Sequence, residues 1–151
     1  MFQPLELPLA KLRLVRREGV VNVWCILRKK YLVLTPEEWV RQHLVHFLIQ
    51  QKGYPQARLA SEYSISYNGL SKRCDIVVFS ADGTPNIIIE CKAPEVKLSK
   101  KTIYQIAQYN KVLKVQRLII SNGNDHFNCA LDDSLSVLSF QSGIPFWSEI
   151  S

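Results

Sequence analysis

The sequence predicts an α/β domain: a mixed central sheet with helices packed on its faces. Three observations predict it. Lys72 to Lys92, KRCDIVVFSADGTPNIIIECK, reads as two apolar strands joined by a tight turn at Asp82-Gly83. A strand ending at Lys92, a helical pattern from Lys100 to Leu113 and a strand from Arg117 to Ser121 follow at the spacing of a βαβ crossover, which makes the two strands parallel. Ahead of both, Thr35 to Gln51 carries the signals of a capped helix. With 151 residues, 47% of them hydrophobic, the chain suits one domain over 1–151.

Residues 1–19 read as an irregular or partly extended arm carrying Lys11, Arg13, Arg16 and Arg17. Val20 to Leu34 is β-rich, an early hairpin or two short strands around Arg28-Lys29-Lys30. That basic triplet suits a solvated turn, and a phosphate contact is the functional alternative. In the first helix Thr35 is the N-cap, Pro36 takes the first helical position, and Glu38 completes a Thr-x-x-Glu capping box. Val40, Leu44, Phe47 and Leu48 recur at helical spacing, and Gly53 and Pro55 stop the helix. His43 and His46 stand three apart on this helix, not at the four-residue spacing of a HExxH zinc pair, and are expected on its surface.

Arg58 to Tyr67 alternates, with Leu59, Tyr63, Ile65 and Tyr67 on one face, and Asn68-Gly69 turns it into the central hairpin. Ile76–Phe79 and Ile87–Ile89 are apolar on both faces, as in covered central strands. Ser99 caps the second helix, whose stripe is Ile103, Ile106, Ala107 and Leu113. Asn122-Gly123-Asn124 turns the chain into Phe127–Leu131, and a last short strand is expected near Ser136–Phe140.

Composition excludes several classes. No apolar run has the length of a membrane span, and the N-terminus lacks a signal-peptide pattern, so the expectation is a cytoplasmic protein. Cys25, Cys74, Cys91 and Cys129 show no CxxC spacing, which disfavours a zinc ribbon; buried thiols explain them. No P-loop, helix-turn-helix or zinc finger is present. The net charge of +6 favours an anionic partner, nucleic acid first.

The chemistry gathers at the far end of the hairpin. With Asp82-Gly83 as the turn, Asp75 falls across from Glu90, and alternation puts Lys92 on the side of Glu90. Opposed like charges destabilise a strand pair, so such a pair calls for a cation between them. Their hard oxygens suit Mg²⁺ or Mn²⁺ rather than zinc. A metal-bound water is a usable nucleophile at neutral pH, and Lys92 can position it or stabilise transition-state charge. These residues suit phosphodiester hydrolysis. Glu62 has the parity to approach Asp75, as an auxiliary acid or as a partner for Arg73 or Lys92. Lys97, Lys100 and Lys101 crowd the start of the second helix and, with Arg73, are candidates for nucleic-acid contact, solvated lysines being the bland alternative.

Asp75 followed by Glu90-Cys91-Lys92 resembles the D…(D/E)xK signature of the PD-(D/E)xK nuclease superfamily. Gln105-Ile-Ala-Gln-Tyr109 is similar to the QxxxY motif of its RecB-like members. TPEEWVRQHL, KRCDIVVF, IIIECKAP and QIAQYN resemble the N-terminal nuclease domain of type I restriction enzyme R subunits, in a stand-alone form, over a core of about 31–124. Cys74 stands where the superfamily name has Pro.

The resemblance implies a restriction-endonuclease-like fold and a Mg²⁺-dependent (or Mn²⁺-dependent) DNA nuclease. It implies Asp75 and Glu90 as metal-binding acids, Lys92 as the catalytic lysine, and Gln105 and Tyr109 as residues reaching back to the site. A third metal-binding acid is Glu37 or Glu38, of which Glu38 is chosen. Implied partners are DNA and a helicase, translocase or specificity subunit, and a homodimer is one arrangement the family allows. The alternative is a non-catalytic nucleic-acid-binding or restriction-complex subunit that needs a partner chain. Hydrolysis of a small phosphorylated substrate ranks last.

Overall fold

The computed structural model describes residues 2–111, 113–131 and 137–150. A small antiparallel sheet comes first, from β1 (Leu14–Arg17), β2 (Val20–Cys25) and β3 (Lys30–Val33) in that order. The expected arm over 1–19 therefore ends in a strand: β1 pairs with β2, Leu14 against Val23 and Arg17 against Val20. Helix α1 (Pro36–Gln50) follows. The main sheet has six strands in chain order: β4 (Leu59–Tyr67), β5 (Leu70–Phe79), β6 (Pro85–Cys91), β7 (Arg117–Ser121), β8 (His126–Leu131) and β9 (Val137–Ser142). Helix α2 (Lys100–Lys111) links β6 to β7, and α3 (Trp147–Ile150) closes the order. The β6–β7 pair is parallel and the others antiparallel, so the sheet is mixed, as expected.

Each face of this sheet carries an apolar cluster. Ile76, Val78, Ile87, Ile89 and Ile119 meet Val40, Leu44 and Leu48 of α1. Val77, Ile88, Leu118 and Ile120 meet Ile103 and Ala107 of α2. Strands covered on both sides must be apolar at consecutive positions, which is why β5, β6 and β7 lack alternation. The four cysteines are free and buried. Among the described residues no helix is long and apolar enough to cross a membrane.

Several local expectations are corrected. The β5–β6 hairpin does not turn on Asp82-Gly83 as a two-residue loop. Ser80 N donates to Thr84 O (2.9 Å) and Gly83 N to Ser80 O (3.0 Å), giving a three-residue loop with Gly83 at φ +85°. This shifts the register by one residue, and a bulge between Val78 and Phe79 shifts it back. Ile76 then pairs with Ile89, the register the two-residue turn predicted; the ladder ends there, short of Asp75 and Glu90. Asp82 serves the turn differently: its Oδ1 accepts from the Thr84 amide (3.0 Å) and hydroxyl (2.7 Å). By contrast Asn68 and Gly69 both have positive φ, as a two-residue primed turn requires.

Strand β4 does not keep one face. Leu59 packs on the α1 side and Ile65 on the α2 side, although they stand an even number of positions apart. Cys74 and Ile76 of β5 likewise pack on opposite sides. Both strands reverse faces at Glu62 and Asp75, and Glu62 has a left-handed backbone at φ +54°. Tyr63 is exposed as a result. On α1, His43 is buried rather than on the surface, its ring 4.3 Å from that of Trp39 and its Nδ1 2.9 Å from the Trp39 carbonyl oxygen. Leu113 is buried but lies beyond the end of α2.

Candidate active site

The site lies where α1 begins and where β5 and β6 reach the ends of their shared ladder. Thr35 starts α1 as expected, its hydroxyl accepting from Glu38 N at 3.0 Å. Only half of the capping box forms. The Glu38 carboxylate turns inward and binds Arg41 through two nitrogens, with Nε at 3.0 Å, and Gln42 Nε2 at 2.8 Å. Glu38 is buried and occupied, and its neighbour Glu37 faces solvent at the helix mouth.

Arg41 is the residue that sequence reasoning missed. Its guanidinium is buried, bonded to Glu38 and Glu62, and 3.6 Å from Asp75 Oδ1. Burial opposes its charge, but the bonds from Glu38 and Glu62 outweigh that and raise its pKa. Its spacing from Glu38, one turn along the same helix, was the available signal. Burial would raise the Glu62 carboxyl, but Arg41, Arg73 and Arg28 outweigh it and hold it below the usual value. Glu62 is thus a partner of Arg73, as one of the two expectations had it, and also of Arg41.

Asp75 occupies the point where β5 changes face. Its Oδ2 accepts the Cys91 amide at 2.8 Å, so a side chain takes a ladder position and ties β5 to the end of β6. Glu90 is buried beside it, with Oε1 2.9 Å from Lys72 Nζ. Burial pushes the Glu90 carboxyl up to about 7, against the pull of Lys72, and the neighbouring Asp75 charge adds to the rise. The two acids therefore meet, and protein cations flank both.

Lys92 follows β6 directly, half-buried, its backbone N–H donating to Ser121 O at 2.8 Å. Burial and the Asp75 charge raise the Glu37 carboxyl, and Lys92 draws it down. Among the described residues no group of three or more His, Cys, Asp or Glu is gathered as a metal cage. Two adjacent carboxylates are nevertheless a donor set that Mg²⁺ accepts, since it keeps water and takes substrate phosphate for its remaining positions.

The remaining candidates stand further out. Arg73 is largely exposed and paired to Glu62. Lys97, Lys100 and Lys101 are exposed around the start of α2, where the Ser99 hydroxyl accepts from Thr102 N at 3.3 Å. Gln105 is exposed on α2, and the Tyr109 side chain lies outside the described residues.

Residues 36–145 match the family described as the type I restriction enzyme R protein N terminus, well over half of the chain. No curated protein matches. Among solved structures, the fold is similar to the fragment of a candidate HsdR subunit of a type I restriction enzyme from Vibrio vulnificus YJ016. The TM-score is 0.57 at 16% identity, over 78% of this chain and 24% of that one. It is also similar to a candidate nuclease of domain family DUF820 from Anabaena variabilis ATCC 29413, with TM-score 0.51 at 15% identity, over 96% of this chain and 89% of that one. The chain thus spans about a quarter of the length of the HsdR fragment, and the shared architecture is restriction-endonuclease-like.

Proposed function

The chain belongs to the family of the type I restriction enzyme R protein N terminus, and from that premise we propose that it is a metal-dependent nuclease that hydrolyses DNA phosphodiester bonds. The single observation that carries the reading is that Asp75, tied to the Cys91 amide, stands beside the buried Glu90, with Lys92 directly after the end of β6. Asp75 and Glu90 would hold Mg²⁺ or Mn²⁺. When bound, such an ion activates water and neutralises charge developing on a phosphoryl oxygen. Lys92 orients the attacking water or stabilises the transition state. Glu37, rather than Glu38, is the third acid of this proposal, because Glu38 is committed to Arg41 and Gln42. Gln105 and Tyr109 keep the positioning role that the family motif implies.

A second reading is favoured by one feature. Lys72 stands at Glu90 and Arg41 near Asp75, so both acids already have protein cations beside them. A nuclease that needs a partner chain, such as a translocase or specificity subunit, would shift those cations when DNA is presented.

The test is cleavage of supercoiled plasmid and of single-stranded DNA with Mg²⁺ or Mn²⁺, with a chelator, Asp75→Ala and Lys92→Ala as controls. Metal-dependent cutting lost in both variants supports the nuclease. Metal binding that needs Asp75 and Glu90, without cutting, supports the partner-dependent subunit. Neither cutting nor metal binding overturns the catalytic reading.

A further inference from the structure

The small sheet at the start of the chain is a separate surface with its own chemistry. Between residues 10 and 33 there are seven Lys and Arg against one acid, Glu18. Trp24 of β2 pairs with Tyr31 of β3, their rings edge to face at 5.1 Å. Each ring carries an arginine. The Arg13 guanidinium lies 5.6 Å from the Trp24 ring centre, and that of Arg17 lies 4.6 Å from the Tyr31 ring centre. The alternate residues Val23 and Cys25 are buried, so this sheet turns its other face inward and presents the arginine–aromatic face outward. Val20 and Val33 on that face are about half exposed, at 46% and 54%.

A guanidinium stacked on a ring is held in place while its donor edge stays open. That edge matches the paired oxygens of a phosphate, and less freedom is lost when it binds. A strongly basic face that pre-positions two such forks is complementary to a polyanionic backbone. The inner face of this sheet abuts the strand that carries Glu62. There the buried Cys25 Sγ lies 3.8 Å from Ser61 Oγ on β4, next to Glu62.

We infer that the outer face of β1–β3 is a docking platform for the nucleic-acid backbone, gripped through Arg13 and Arg17 on Trp24 and Tyr31. It rests on the nuclease reading only for its purpose: DNA held here continues toward Asp75 and Glu90.

The experiment measures binding of labelled duplex and single-stranded oligonucleotides by fluorescence anisotropy, with the metal chelated so that nothing is cut. The full chain is compared with Arg13→Ala/Arg17→Ala and with Lys52→Ala/Arg58→Ala. The second variant removes equal charge, and also two cations set over rings, near Phe146 and Trp147. Arg13→Ala/Arg17→Ala is expected to weaken binding roughly ten-fold or more and to lower the salt slope by about 2. Lys52→Ala/Arg58→Ala is expected to change little, and Arg13→Lys/Arg17→Lys to fall between.

Unchanged affinity and slope in Arg13→Ala/Arg17→Ala, with a folded protein by circular dichroism, overturns the platform and leaves the nuclease reading standing. Loss of binding in that variant alone, in a protein that never cuts, supports the platform and separates it from the catalytic reading. A full chain that binds neither oligonucleotide overturns the platform.

Discussion

Arg41 sets the charge balance of the site. It joins one acid of its own helix, Glu38, to the two acids at the kink, Glu62 and Asp75. A buried cation with such partners is costly to disturb from either side, because whatever remains is buried and unpaired. This divides the two glutamates that open α1. Glu38→Gln is expected to cost about 3 kcal/mol of stability. Glu37→Gln is expected to leave stability near that of the parent and to lower metal-dependent cleavage about 10- to 100-fold. Thermal melts beside initial rates separate the two, and the opposite pattern would return the third-acid role to Glu38.

Glu90 sets a pH dependence at the same scale. Its folded pKa, about 7, lies above the ordinary 4.5. Between those values the folded state keeps a proton that the unfolded state has lost. Metal-free stability is therefore highest below about pH 4.5 as far as this group is concerned, and falls as pH rises through about 7, by up to about 3 kcal/mol. Melting temperatures in chelator from pH 5 to 8 should show this decline in the parent, and Glu90→Gln should flatten it. Titration of His43, His46 and His126 is common to both proteins, so the difference between them isolates Glu90. An identical slope in the two would remove Glu90 as its source.

At the scale of elements, the site depends on where α1 starts and where β5 changes face. The Thr35 cap ends the coil and fixes the first turn, from which Glu37 projects. Thr35→Ala should cost about 1 kcal/mol, measured by chemical denaturation. Cleavage should fall more than that loss alone explains if the turn frays and Glu37 drifts. The face reversal at Glu62 and Asp75 does the complementary work on the sheet. A regular β5 would keep Asp75 on the face of Val77, against the α2 cluster. The reversal instead lets its carboxylate cap the Cys91 amide and approach Arg41.

Across the whole molecule, burial on both sheet faces carries stability, with no covalent link contributing. Cys25, Cys74, Cys91 and Cys129 are free thiols, and burial pushes the Cys74 thiol up to about 12. Reductant should therefore leave the melting temperature unchanged, and an alkylating agent should label these thiols only on unfolding. Rapid labelling of the folded protein would place at least one of them in an open environment. The two apolar clusters, one on each face of the main sheet, form the frame that holds its strands and helices in place.

The sequence by itself determined the elements of the main sheet, the two long helices, the parallel crossover and the register that pairs Ile76 with Ile89. Those follow from apolar runs, caps and turn residues, which act over a few positions and can be read locally. Even the mistaken turn at Asp82-Gly83 did not spoil this register, because a bulge offsets the longer loop. Only the tertiary structure decided the rest. That Glu38 turns inward while Glu37 stays exposed depends on Arg41, and the ion pairs of Arg41 depend on Glu62 and Asp75 arriving from other strands. The reversal of faces at Glu62 is a backbone event with no mark in a Glu codon. The stacked arginines of β1–β3 required the pairing of a strand that had read as an arm. In each case the deciding energy comes from charges and rings brought together from distant positions, which spacing along one segment does not encode.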